Sequence, residues 1–356
     1  MISPEKLDFL ESLLCTPSPT GYESAGQQVW LDYVKGFADR TLTDAYGSAA
    51  AFLDVDPDAI TVMLEAHADE IGMVVQHIDD KGFVYISRIG GSDPAIARAR
   101  KVSVHAAKGV VRGLIGSTAI HLQDRTDTKA PGWKDLFVDI GATSREEALE
   151  MVQIGDPITY VDEPEFFSDE LLVARAIDNR IGGYIVASAL EKLAAMRDQL
   201  KVNVVVVNAV QEEIGGFGAR MMSYRLNPDV ALVTDVTHAT DSPGINPKEH
   251  GMVKLGEGPA ITHGTANQRK VVELLVEAAA EAGISVQHEA SSIRTGTDTD
   301  SIFHNRSGIP SALVSTPLRY MHSPSEMVHL ADVQGVSDLM VAFVQRLKAR
   351  HSFRLF

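Results

Sequence analysis

The stretch Val202-Asn203-Val204-Val205-Val206-Val207-Asn208-Ala209-Val210-Gln211-Glu212-Glu213-Ile214-Gly215-Gly216 decides how this chain reads. Its first nine residues form an apolar, β-branched run, far short of the roughly 20 residues that a membrane helix needs and suited to a buried strand. Two adjacent glutamates then stand between that run and a glycine turn, where a merely solvated pair has no reason to lie. Sheets of α/β proteins deliver functional side chains at the carboxyl ends of their strands, so Glu212 and Glu213 mark the first place to look for chemistry.

Outward from this stretch, longer helical patterns alternate with apolar strands. A helix is expected near 180–196 and strands over 202–210, 230–236, 284–289 and 312–315, with helices over 268–282 and 330–350. On the N-terminal side, 4–14 places Leu7, Leu10, Leu13 and Leu14 on one helical face, a second helix covers 23–37, and β-type runs follow at 48–53 and 59–65. Between 73 and 160 the texture changes to short alternating runs broken by glycine, a mostly β region. The expectation is an α/β domain, a mixed and partly parallel sheet covered by helices on both faces, formed by 1–71 and 162–356. A β-rich domain is inserted over 72–161.

Composition narrows the class. The chain has 356 residues, 45% hydrophobic and 22% charged, which excludes disorder, collagen and coiled coil. Lys+Arg of 32 against Asp+Glu of 48 leaves a net charge of −16, a surplus that repels nucleic acid and anionic membranes, so neither is expected as a partner. The single cysteine, Cys15, makes no intrachain disulfide, reads as a small buried hydrophobe and suits a reducing compartment. With neither a basic n-region nor an apolar h-region at the N-terminus, the expected location is cytoplasmic.

Five places carry metal-ligand side chains at or near strand ends: His67 with Asp69, Asp178, Glu212 with Glu213, Asp235, and His322. Each has an ordinary explanation, a surface pair or a helix N-cap, and position is what weighs against it. His, Asp and Glu without cysteine describe a divalent site open to substrate, suited to zinc, cobalt or manganese. Two histidines and three carboxylates exceed what one tetrahedral ion needs; they fit two ions about 3.5–4 Å apart with a shared carboxylate. The remaining acid is then available as a general base.

Taken in order, Pro17-Ser18-Pro19-Thr20-Gly21-Tyr22-Glu23, His67-Ala68-Asp69-Glu70-Ile71-Gly72, Asp178-Asn179-Arg180, Gln211-Glu212-Glu213-Ile214-Gly215-Gly216, Asp235-Val236-Thr237 and Met321-His322-Ser323-Pro324-Ser325-Glu326-Met327-Val328 run through the whole chain. In these motifs the sequence resembles the dinuclear metallo-aminopeptidases of tetrahedral assembly, metallopeptidase family forty-two, which includes glutamyl-aminopeptidase-like and deblocking enzymes. The resemblance implies a phosphorylase/hydrolase-like metallopeptidase domain with an inserted β-barrel-like dimerisation domain. It makes His67 and Asp235 ligands of one ion, Glu213 and His322 ligands of a second, and Asp178 the bridging ligand beside a cis peptide. Glu212 becomes the general base and Asp69 the partner of His67.

The implied activity removes N-terminal residues from short peptides with two divalent ions per subunit, zinc first, with cobalt or manganese as alternatives. The implied partner is the chain itself, a homo-oligomer formed through the inserted domain, a dodecamer built from dimers. Gly296, Thr297, Asp298 and Arg294 are expected near the substrate, and Arg294 and Arg319 would favour acidic side chains there. Two alternatives stay open at this point. A deacylase or carboxypeptidase of the same clan would use similar ligands without requiring a free amine; a glucan hydrolase would have to work with adjacent glutamates, which do not readily flank a sugar bond at roughly 5–9.5 Å.

Overall fold

Alternation along the central strands explains how one sheet comes to be covered twice. In the computed structural model, which describes residues 3–122 and 132–356, Val204 and Val206 face one side of strand Asn203–Ala209 while Val205 and Val207 face the other. Strand Thr61–His67 divides in the same way, with Val62 and Leu64 on the first side and Met63 on the second. The first side packs against Leu10, Trp30, Ile185, Leu275 and Phe343 from helices Pro4–Cys15, Ser24–Val34, Ile177–Ala195, Arg269–Ala282 and Leu330–Arg346. The second packs against Ala219 and Met222 of helix Phe217–Leu226 and Ile302 of the short helix Thr299–Ile302. Burying side chains on both faces is what makes these strands read as continuous apolar runs.

The strand order through the middle of the sheet is Arg40–Thr43, Ala49–Leu53, Asn203–Ala209, Thr61–His67, Val230–His238, Ser311–Arg319, Glu326–His329, Leu171–Ala174. Four neighbours, from Asn203–Ala209 to Ser311–Arg319, are parallel, so their carboxyl ends open on one edge. Antiparallel strands flank them, giving the mixed sheet that was expected.

Six further strands, Gly72–Ile78, Val84–Ile89, Lys101–Ala106, Gly109–Gly116, Phe137–Asp139 and Pro157–Tyr160, close into a barrel. Met73, Val75, Val102, Val104, Val138 and Ile158 fill it as a core separate from the two that sandwich the sheet. Closure removes the free edges that such short strands would otherwise present.

Several local expectations need correction. Cys15 is exposed rather than buried: it ends helix Pro4–Cys15 directly after Leu14, off the stripe of Leu10, Leu13 and Leu14 that faces the core. The strand expected over 284–289 is Gln287–Ala290, because a left-handed Gly283 ends the preceding helix and the chain needs several residues to regain the sheet. The closing helix stops at Arg346, four residues early. Among the described residues no helix is long and apolar enough to cross a membrane.

Candidate active site

Four of the expected residues owe their meeting to strand register. His67 is the last residue of its strand and pairs with Ala209, two residues short of the Gln211 turn that leads into Glu212 and Glu213. On its other side Val233 pairs with Glu65, so Asp235, two residues on, comes level with His67. Asp178 lies at the start of Ile177–Ala195, where the backbone at Asp178 and Asn179 is non-helical and the peptide between them is cis. His322 follows strand Ser311–Arg319 by three residues. Ala176, Gln211, Tyr320 and His322 all hold positive φ between 58° and 63°, a conformation that non-glycine residues rarely adopt and that clusters at functional sites.

The side chains converge. His67 Nε2 lies 3.3 Å from Asp178 Oδ1, 3.6 Å from Asp235 Oδ1 and 3.9 Å from Glu212 Oε2. His322 Nε2 lies 3.2 Å from Asp178 Oδ2 and 3.5 Å from Glu213 Oε2. Two three-residue groups therefore have the spacing to hold a cation, His67-Asp178-Asp235 and Asp178-Glu213-His322, with Asp178 common to both.

Asp69 lies beneath them, fully buried. Its Oδ1 accepts the Glu212 N–H (3.0 Å), and its Oδ2 accepts the Glu213 N–H (3.2 Å) and the Thr20 hydroxyl (2.8 Å). His67 Nδ1 stands 3.4 Å from Asp69 Oδ1, within ion-pair reach but without a formed hydrogen bond. Arg180 donates to the carbonyl oxygens of Ala68 and Leu13, and Arg175 pairs with Glu70, so two buried guanidiniums tie the segment after His67 to the first helix.

Crowding of acids in a buried space shapes their protonation. Burial pushes the Glu212 and Glu213 carboxyls well above the usual range, with neighbouring carboxylates adding to it. Burial also raises Asp235, although His67 works against it. Asp178 goes the other way: burial opposes ionisation, but His322 and His67 on its two oxygens hold it well below the usual range. His67 is disfavoured as a cation by burial, yet Asp235 and Asp178 raise it well above its ordinary value.

These residues open onto a cavity of about 960 Å³ whose outer wall includes Arg220, Arg294, Gly296, Thr297, Phe303 and His304. Of the residues expected near the substrate, Arg294, Gly296 and Thr297 line this cavity. Asp298 is not among the lining residues: it is buried behind the wall against Glu65, its carboxyl raised by burial and by that neighbour. Arg319 is held away from the cavity in a bidentate pair with Asp241.

The M42 glutamyl aminopeptidase family model matches residues 47–339. The chain belongs to this family. M42 membership makes it a peptide hydrolase of the aminopeptidase class. The lysyl aminopeptidase of Pyrococcus furiosus is 33% identical over 349 residues, covering 96% of this chain and 97% of the relative. The TET aminopeptidase of the marine sediment archaeon Thaumarchaeota archaeon SCGC AB-539-E09 superposes with a TM-score of 0.92 at 29% identity, over 97% of both chains. The TET1 peptidase of Pyrococcus horikoshii, which can assemble into a tetrahedron or a large octahedral shell, superposes with a TM-score of 0.86 at 30% identity, over 96% of this chain and 100% of that one.

Two features of this M42 site were missed in sequence. Glu326 accepts the backbone N–H groups of both Asp178 (3.0 Å) and His322 (2.8 Å); it lies inside a quoted motif, but nothing local gave it a role. Gly90 and Gly91, which stand against Glu213 and His322 from the barrel, were not singled out in the sequence among the glycines that break up this β region.

Proposed function

We propose that the chain is a dinuclear metal-dependent aminopeptidase acting on short peptides, with His67, Asp178 and Asp235 holding one divalent ion and Asp178, Glu213 and His322 a second. The observation that carries this reading is Asp178, whose two oxygens face different imidazoles at 3.3 and 3.2 Å. Tetrahedral ligand atoms set about 2.0–2.1 Å from an ion lie about 3.4 Å apart, the spacing seen around both positions. Glu213 Oε1, buried and without a hydrogen-bond partner, is a further donor atom in the same place. Zinc suits this set of imidazoles and carboxylates, with cobalt or manganese as alternatives.

Such ions, when bound, acidify a water and polarise the scissile carbonyl. Glu212 accepts the proton of the attacking water and returns it to the leaving amine. Asp69 fixes the backbone of Glu212 and Glu213 and orients His67 from its Nδ1 side. The match to aminopeptidases favours a free α-amine over a blocked N-terminus, which separates this reading from a deacylase. Gly296, Thr297 and Arg294 contact the substrate from the outer wall.

The inserted unit, residues 72–161, is the dimerisation domain in this reading, and the subunits build a dodecamer. Tyr85, Val110 and Leu114, exposed on the barrel, supply apolar surface for a second copy, and the assembly of the horikoshii relative supports it. A cytoplasmic location fits the exposed free thiol of Cys15.

The test is chelator-stripped protein given zinc, cobalt or manganese and assayed on aminoacyl chromogenic substrates, their N-acetylated counterparts and a glucan. Metal-restored cleavage confined to free amines is expected. Cleavage that survives metal removal, equal turnover of the acetylated series, or no cleavage with any of the metals would overturn the reading.

A further inference from the structure

Two glycines of the barrel stand against ligands of the second proposed ion. Gly91, after strand Val84–Ile89, offers its carbonyl oxygen to His322 Nδ1 at 3.3 Å. A carbonyl only accepts, so His322 is protonated on Nδ1 and its Nε2, the atom facing Asp178 and Glu213, is left with the free lone pair. The approach is close enough to exclude any side chain: a Cβ on Gly91 would lie 2.5 Å from His322 Nδ1 and 2.8 Å from Cε1. A Cβ on Gly90 would lie 2.9 Å from Glu213 Oε2. The two glycines therefore touch both side chains that hold this ion but not the other.

The turn is itself anchored inside the barrel. Ser92 is buried, its hydroxyl shares a 3.0 Å hydrogen bond with the Tyr160 hydroxyl, and its carbonyl accepts from Trp133 Nε1 at 3.3 Å. A continuous path runs from the barrel core through Ser92 and Gly91 to His322. His322 needs such support, because it is the more exposed of the two histidines and holds a positive φ of 59°.

We propose that the Gly90-Gly91 turn is a positioning element through which the barrel sets the tautomer and place of His322 and so the affinity of the second metal position, leaving the His67 position independent of it. This rests on the dinuclear reading given above. Outer partners of metal-bound histidines are worth about 10–100-fold in metal affinity. Gly91 has no left-handed φ, so alanine there strains no backbone and its effect is confined to contact with the imidazole.

The experiment is titration of zinc chloride into chelator-stripped full-length protein, wild type and Gly91→Ala, by calorimetry with metal content measured after gel filtration. Wild type is expected to take two equivalents. Gly91→Ala should keep one at wild-type affinity and bind the other about 10–100-fold more weakly, whereas on a His322→Ala background the same glycine substitution should cost little more. Tyr160→Phe, which only loosens the anchor of Ser92, should weaken the same equivalent in the same direction and decides the matter if Gly91→Ala does not fold. Two wild-type equivalents in both variants, or equal weakening of both equivalents, would overturn the proposal. A wild-type protein that binds no zinc would instead sink the dinuclear reading itself.

Discussion

Replacing Glu212 by glutamine separates proton transfer from metal holding. Its Oε2 is the most distant of the three carboxylate oxygens around His67 Nε2, at 3.9 Å, and it belongs to neither three-residue ligand group. Its N–H donates to Asp69 Oδ1 whatever the side chain, so Glu212→Gln keeps shape, backbone anchor and ligand set and removes only the basic oxygen. A positioned general base contributes about 10²–10⁴-fold, or about 3–5 kcal/mol of barrier at 1.4 kcal/mol per tenfold. The expected result is a fall in kcat of that size, with KM within about threefold and metal content unchanged. The residual activity should also lose the acidic limb of its pH profile, since that limb reports the base becoming protonated. Release of p-nitroaniline from an aminoacyl anilide under saturating zinc, with metal analysis of the same sample, measures all three. A kcat within tenfold of wild type would refute the role; a fall accompanied by a lost metal equivalent would make Glu212 a ligand instead.

Asp178→Asn weakens the group common to both positions, so metal content should fall below one per chain and kcat/KM by at least about 10³-fold; retention of two ions at wild-type affinity would contradict the shared role. Glu23, buried near Asp69, has its carboxyl pushed up by burial to about 7 from an ordinary 4.5, even though it accepts the Gly21 N–H. The folded state therefore holds that proton more tightly than the unfolded one, and the resulting stability is present below pH 4.5 and lost as pH rises through about 7. Glu23→Gln should gain on wild type in urea unfolding between pH 5 and pH 8 by at most about 3 kcal/mol, and an unchanged difference would refute the shift. At Gly218 a Cβ would sit 2.2 Å from the Val210 carbonyl oxygen and 2.5 Å from its nitrogen, backbone that cannot step aside. Gly218→Ala should destabilise by about 3 kcal/mol or more in urea unfolding, and a neutral effect would show that the turn below Glu212 is looser than drawn.

What was legible in the sequence follows from physics that acts locally. The run from Val202 to Val210 is readable because both faces of its strand are buried, and Glu212 because polar residues at such a strand end need a reason. His67, Asp235 and His322 were named on the same signal and Asp178 as a loop residue before a glycine-rich helix start, and the family resemblance assigned them to two ions. Contacts that join distant segments left no such trace. His322 meets Gly91 across 231 residues, and Glu326 meets Asp178 across 148. Helix Phe217–Leu226 was passed over because Gly215-Gly216 announces a turn and Arg220, Ser223 and Arg225 break up the apolar residues after it, although Ala219 and Met222 are enough to bury its inner face. Cys15 was misplaced because residue type outweighed its position on the helix.

The acidity legible in the sequence also takes on a different meaning in the fold. Six acids were named from sequence, Asp69, Asp178, Glu212, Glu213 and Asp235 for the site itself and Asp298 near the substrate; the structure adds Glu65 and Glu326, and these two and Asp298 are all buried. Burial raises the Glu65 carboxyl to about 8 and pushes Asp298 and Glu326 well above the usual range. Each buried carboxylate costs several kcal/mol unless it is paired, and the nearby buried cations, Arg175 and Arg180, are directed to Glu70 and to backbone carbonyls. Two histidines cannot offset the remaining charge. Under the proposed dinuclear reading, cations among these oxygens would stabilise the ionised form of the site, and metal binding would then support stability as well as catalysis. Saturating zinc should therefore raise the unfolding midpoint of wild-type protein far more than that of Asp178→Asn, in proportion to the affinity each retains.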